Sequence, residues 1–224
     1  MAAAFVAGAA SGNTTGTTLT LAPGTVAVGD VIVVQVMRRA AVVSLVDDLG
    51  NDYGAAVQEV GATADYDYST YACLVTVAGI PTITLTLASS VRKGLAAHIV
   101  RGCNHPAEDS SVGGPTASAA PVAPGADSAG NCYVVGGVTK SGVSTITLGS
   151  GYSNLFSSDS VGRVGIEAKV GTVATHTPDF ALGASESWFC GSVILAETAA
   201  VVVRPIGVIE IPTRRGPLKA VSYN

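Results

Sequence analysis

Apolar residues along this chain fall into short runs of Val, Ile, Leu and Thr, separated by clusters of Gly, Pro, Asn, Asp and Ser, the punctuation of strands joined by turns. The clearest runs are 17–22, 30–37, 42–46, 55–60, 66–77, 82–87, 95–101, 132–139, 144–148, 162–170, 173–177 and 187–196. Thr82-Ile83-Thr84-Leu85-Thr86-Leu87 alternates polar and apolar strictly, which predicts an antiparallel strand with one buried face. Val31-Ile32-Val33-Val34 and Val134-Val135 do not alternate, and such runs suit central strands covered on both faces. Nowhere do apolar residues recur at i, i+3, i+4 and i+7 over a helical length; the pattern allows at most a single turn near Ala107–Ser110, after Pro106. The predicted fold class is all-β, an antiparallel β-sandwich, and 224 residues suit one large sandwich rather than two small domains.

Asp47–Tyr53 and Asp127–Tyr133 share the pattern D-x-x-G-N-x-Y at a spacing of 80 residues. In each, Gly-Asn supplies a tight turn and Tyr opens a strand. One reading is an internal duplication into two similarly wound halves; the other is that two unrelated hairpins use the same easily formed turn. Between the two segments, 110–130 is rich in Gly, Pro, Ala and Ser and predicts a long surface connection.

Composition narrows the function classes. Charged residues make up 12% of the chain, against roughly 25% in an ordinary domain, so a charge-laced coiled coil is excluded. A net charge of −4 argues against a nucleic-acid partner, which calls for a basic face. No apolar run approaches the roughly 18 residues of a membrane-spanning helix, and no membrane partner is expected. Ala2–Ala10 is small and apolar like the core of a signal peptide but lacks a basic leading region, so secretion by that route is not expected.

No constellation of catalytic or metal-binding residues stands out. Cys73, Cys103, Cys132 and Cys190 lie far apart in apolar runs, which favours buried free thiols and leaves a disulfide as the alternative. His98, His105 and His176 lack metal-ligand spacing. Asp47, Asp48 and Asp52 offer hard oxygens for calcium, but their spacing is not that of an EF-hand loop, and solvated turn acids are the expected reading. Gly183-Ala184-Ser185-Glu186-Ser187 misses the nucleophile elbow by its last residue, and neither a dinucleotide fingerprint nor a P-loop occurs. The expectation is a protein that is not an enzyme and uses no cofactor and no metal.

Charge is distributed unevenly. Residues 1–200 hold eight Lys and Arg against fifteen Asp and Glu, whereas 201–224 hold four Lys and Arg against Glu210 alone. That last stretch mixes strand formers with Pro205 and Pro212, which bar it from helix and from a central strand. It predicts a division into a sandwich, 1–200, and an extended basic arm, 201–224. The arm is expected to lie on a neighbouring subunit through Arg204, Ile206, Val208, Ile209, Ile211, Arg214, Arg215 and Lys219. A second candidate site is Asp65-Tyr66-Asp67-Tyr68, whose rings and acids would stack on and hydrogen-bond a sugar.

Gly29-Asp30-Val31-Ile32-Val33-Val34, Asp48-Leu49-Gly50-Asn51-Asp52-Tyr53, Ala78-Gly79-Ile80 leading into Thr82–Leu87, and Ala96-Ala97-His98-Ile99-Val100-Arg101-Gly102 follow one another in an order that resembles the jelly-roll-like β-sandwich modules of tailed-bacteriophage virion proteins. Cys132–Gly137 and the Trp188 strand fit the same grammar, so the resemblance covers roughly 25–197. It implies a jelly-roll-like sandwich in a structural virion protein. The nearest type is the capsid decoration, or cement, protein, often a homotrimer seated on the major capsid protein at the capsid surface and made in the bacterial cytoplasm. The alternative it implies is a receptor- or glycan-binding module of a tail fibre or baseplate; the scarcity of aromatics and the basic arm depart from that type.

Overall fold

The computed structural model describes residues 2–61, 66–105, 107 and 109–198. They are all-β, with no helix among them, as the periodicity predicts. The first half runs β1 (Ala4–Asn13), β2 (Thr18–Leu21), β3 (Val31–Arg38), β4 (Val42–Asp47), β5 (Gln58–Val60), β6 (Asp67–Leu74), β7 (Ile83–Leu87) and β8 (Lys93–Arg101). The second half runs β9 (Asp109–Ser118), β10 (Ala126–Ser128), β11 (Cys132–Lys140), β12 (Ile146–Thr147), β13 (Ser153–Ser158), β14 (Val164–Gly171), β15 (Ala174–His176), β16 (Ala181–Leu182) and β17 (Glu186–Ala196).

The halves repeat one strand order. The larger sheet is β1-β8-β3-β6-β5 in the first half and β9-β17-β11-β14-β13 in the second, and the smaller is β2-β7-β4 in the first and the pairs β10-β15 and β12-β16 in the second. The large sheets pack face to face, β1 against β13, β8 against β14, β3 against β11, β6 against β17 and β5 against β9. A twofold axis running along the strands between β3 and β11 produces that order. The result is four layers, with a central core between the large sheets, an outer core under β2-β7-β4, and two smaller clusters under the outer pairs of the second half. Both β3 and β11 are buried along their whole length, which is why their apolar runs do not alternate; β7, in an outer layer, does alternate.

Duplication is therefore real, but its sequence trace is not the D-x-x-G-N-x-Y pair. Asp47–Tyr53 leaves the end of β4, whereas Asp127–Tyr133 runs from β10 into β11, so the two occupy unrelated turns. The equivalent segments are Ala22-Pro23-Gly24, Gly29-Asp30 and Val33-Val34 against Ala123-Pro124-Gly125, Gly130-Asn131 and Val134-Val135, a spacing of 101. Two further expectations need correction. The stretch 110–130 is no loose connection: its first part is β9, an edge strand pairing with β17 from Asp109 to Ser118, and its small residues serve close packing, Gly113 lying under Pro124. Asp109 and Ser110 open that strand instead of closing a helical turn.

Candidate functional site

The loop after β4 illustrates how the acids are used. Asp47 Oδ1 accepts from the amides of Leu49 and Asn51, both at 3.0 Å, and Oδ2 from Asn51 Nδ2 at 3.0 Å and the Tyr53 hydroxyl at 3.3 Å. Asn51 Oδ1 in turn accepts from the amides of Thr76 at 2.9 Å and Val77 at 3.0 Å. Both carboxylate oxygens of Asp47 are engaged by protein donors, so the residue fixes a turn to the end of β6 rather than offering ligands to calcium. Asn51→Ala is expected to lower the unfolding free energy by about 2–4 kcal/mol, because two amides and part of Asp47 lose partners at roughly 1–3 kcal/mol each. Urea denaturation checks this, and a loss below about 1 kcal/mol would show that water substitutes for the side chain.

Asp30 works in the same way. It is buried, holds Arg101 Nε and Nη2 at 2.7 and 2.8 Å, and accepts the Ala27 amide at 2.8 Å. Burial raises its pKa, but the Arg101 pair and the Ala27 amide outweigh it, and the carboxyl titrates below the usual carboxylate range.

The acidic tyrosine segment does not form an exposed site. Tyr66 and Tyr68 belong to the central core, 7% and 1% exposed, with the Tyr66 ring 5.4 Å from Phe189. The rings expected to meet a sugar are thus covered by the second half; Asp67 is half-buried and Asp65 lies outside the described residues. The Tyr68 hydroxyl donates to Gln58 Oε1 at 3.2 Å, and Gln58 Nε2 donates across the interface to the carbonyls of Ser111 and Ser192 at 2.5 and 2.8 Å. Gln35, also buried, accepts from Thr70 at 2.8 Å and reaches toward Gly137. Sequence reasoning missed this polar seam between the halves. Its signal was glycine in strand interiors, since side chains at Gly137 and Gly191 would collide with Gln35, Gln58 and Tyr68.

The Lys93, Lys140 and Glu167 side chains are wholly buried within the β framework. Lys93 donates to the carbonyls of Thr15, Gly16 and Val91 at 2.7–2.8 Å. Lys140 donates to the carbonyls of Gly142 and Asp159 and lies 3.5 Å from Glu186 Oε1, which also accepts from Ser144. Beside them opens a shallow hollow of about 550 Å³ lined by Ser144, Thr145, Ser185 and Glu186. The Lys140 ammonium is turned to carbonyls of the surrounding turns, which makes the cluster a clamp on those turns. Glu167, fully buried, accepts the Gly149 amide at 2.8 Å through Oε2, and its Oε1 has no hydrogen-bond partner; burial lifts its pKa to about 8.

All four cysteines are buried and none forms a disulfide, as their apolar settings predict. Each histidine meets a backbone carbonyl: His98 that of Asn154 at 2.7 Å, His105 that of Ala72 at 3.1 Å and His176 that of Thr172 at 3.0 Å. The expected arm residues, Arg204, Ile206, Val208, Ile209, Ile211, Arg214, Arg215 and Lys219, lie outside the described residues. The chain reaches them from Thr198, whose amide donates to the Gly102 carbonyl at 2.8 Å at the end of the sandwich where β8 and β17 finish.

Comparison of the chain with family models, curated proteins and solved structures finds no match. The fold and its geometry stand on their own as a duplicated β-sandwich.

Proposed function

We propose that this chain is a non-enzymatic structural protein of a virion surface, of the capsid-decoration kind, working as a homotrimer that packs against a capsid lattice through its sandwich and arm. One observation carries the reading: a set of charged side chains is turned inward into structural bonds, while several branched apolar side chains point outward. Asp30, Asp47, Lys93 and Lys140 are buried in structural bonds, whereas Val28, Val43, Ile80, Val170 and Val173 are each more than 60% exposed. Exposed branched residues on a body with so few charges suit broad, close contacts with other subunits. Strand order supports the jelly-roll part of the reading. An eight-stranded jelly roll pairs strands 1-8-3-6 in one sheet and 2-7-4-5 in the other, and the first half matches it in every strand but β5, which joins β6 instead.

Light scattering of the full-length protein is expected to give a trimer, and truncation after Ala200 is expected to abolish binding to empty capsids while the sandwich stays folded by circular dichroism. A monomer indifferent to capsids, or a truncated protein that binds like the full chain, overturns the proposal.

A further inference from the structure

The segment that follows β11 and the segment that leads into β17 are joined at two points and open between them. Ser141 N donates to the Ser187 carbonyl at 2.8 Å and Gly183 N to the Thr145 carbonyl at 3.0 Å, whereas the amides of Val143, Ser144, Ala184 and Ser185 make no backbone bond among the described residues. The two segments splay apart there around the hollow of about 550 Å³, lined by 142–145 on one side and 183–186 on the other. A hollow of that size falls within the roughly 300–1,000 Å³ of small-molecule sites.

One wall holds an acceptor that the protein leaves unused. The Glu186 side chain is 8% exposed, and its Oε2 is buried without a hydrogen-bond partner, a costly state until a donor reaches it. The other oxygen, Oε1, accepts from the Ser144 hydroxyl and lies 3.5 Å from Lys140 Nζ. Gly142, also in the lining, has no side chain to cover Oε2; a Cβ there would collide with it.

We propose that this hollow binds a sugar ring, one hydroxyl of which donates to Glu186 Oε2. The inference is independent of the virion reading. Charge favours a neutral donor, because Lys140 already balances Glu186 and its ammonium repels an amine or a metal cation, whereas a hydroxyl meets no such penalty. Shape favours a compact ring. The bonds at Ser141 and Thr145 close the opening after three residues on each side, about 10 Å of strand, too short to admit an added peptide strand. The lining suits a polyol as well: the hydroxyls of Ser144, Thr145 and Ser185 both donate and accept, and Val143, 62% exposed, offers an apolar wall to the C–H face of the ring. The segment 183–187, which fails as a nucleophile elbow, thus supplies most of one wall of a binding site.

Amide-resolved NMR titration of the full-length protein with D-glucose, D-galactose, D-mannose and N-acetyl-D-glucosamine, each to about 100 mM, tests the proposal. The expected result is saturable shifts at 142–145 and 183–186 with at least one sugar, at a dissociation constant in the millimolar range. Glu186→Gln, which puts an amide group where both carboxylate oxygens accept, is expected to weaken binding about tenfold. Ser185→Val, at an exposed residue outside the Lys140 cluster, removes a hydroxyl and narrows the hollow; it is expected to weaken binding about fivefold with the rest of the spectrum unchanged, and it keeps the test decisive if loss of the Lys140 partner disturbs the fold. No shift at these amides with any of the four sugars, or an unchanged titration in Ser185→Val, overturns the proposal. So does a stronger response of the same amides to methylammonium, which would make the hollow a cation site.

Discussion

Glu167→Gln is expected to raise the unfolding free energy by about 4 kcal/mol at pH 8 and to leave it nearly unchanged at pH 4. Glu167 is fully buried in β14, and burial is the main reason its pKa rises to about 8; the Gly149 amide pulls the other way, Asp179 adds to the rise and Lys169 opposes it. In the unfolded chain the carboxyl titrates near the ordinary 4.5. Between those values the folded protein holds a proton that the unfolded chain has released, so stability is full below about 4.5 and falls as pH rises toward 8, by roughly 1.4 kcal/mol per unit. His98 acts in the opposite direction. It is buried between Phe5 and Phe156, and burial lowers its pKa to about 4 despite the bond to the Asn154 carbonyl, so stability is lost as pH falls from 6.5 toward 4. The two slopes cancel where they overlap. The unaltered protein should therefore show a plateau from about pH 4.5 to 6.5 and decline above it, whereas Glu167→Gln should climb by about 3 kcal/mol from pH 4 to 6.5 and stay flat beyond. Urea midpoints across that range decide it. A variant with the same alkaline decline as the parent would show that Glu167 ionises in the folded state without penalty.

Much of the architecture is legible in the order of residues. The alternation of 82–87 and the unbroken runs at 31–34 and 134–135 foretell outer and central strands because burial on one face or two is what periodicity encodes. The strands that periodicity does not show are edges and short pieces. β1, β9 and β13 are edge strands, β1 and β9 rich in Ala, Gly and Ser and β13 half serine, so they carry little alternating apolar signal and are specified by the partner strands they complete. Duplication was visible in principle, but the spacing of 101 rests on conformational residues, Pro23-Gly24 and Pro124-Gly125, while the more conspicuous repeat at 80 marks two turns that need the same local geometry. The site calls for a similar distinction. Asp65-Tyr66-Asp67-Tyr68 looks like a sugar platform because composition alone cannot say which face of a strand meets another sheet; only the second half of the chain buries the Tyr66 and Tyr68 rings. The hollow beside Glu186 was equally illegible, since it depends on the segments after β11 and before β17 lying side by side.

Gly94→Val is expected to lower the unfolding free energy by about 4 kcal/mol, although valine suits a strand better than glycine and would stabilise an open position. The obstacle is main chain, which cannot step aside. A Cβ on Gly94 would stand 2.4 Å from the Gly162 carbonyl oxygen, and one on Gly12, its neighbour in β1, 2.3 Å from the Gly162 nitrogen and Cα. Three glycines thus bring β1 and β8 of the first half against the β13–β14 turn of the second. That turn is also held by Arg92, whose Nη1 donates to the carbonyls of Ser160 and Val161 at 3.0 and 2.9 Å, and by Lys140 at the Asp159 carbonyl. Pushing it outward by the width of a side chain costs roughly 1–3 kcal/mol in overpacking and loosens charge-assisted bonds of about 1.5–3 kcal/mol. Gly130→Ala is the matched control, because nothing lies within 4 Å of its added Cβ and its backbone is ordinary; it should shift stability by no more than about 0.5 kcal/mol. Denaturant midpoints for the pair measure how closely the halves approach, and a Gly94→Val loss as small as the control's would mean that the halves part at this end with little penalty.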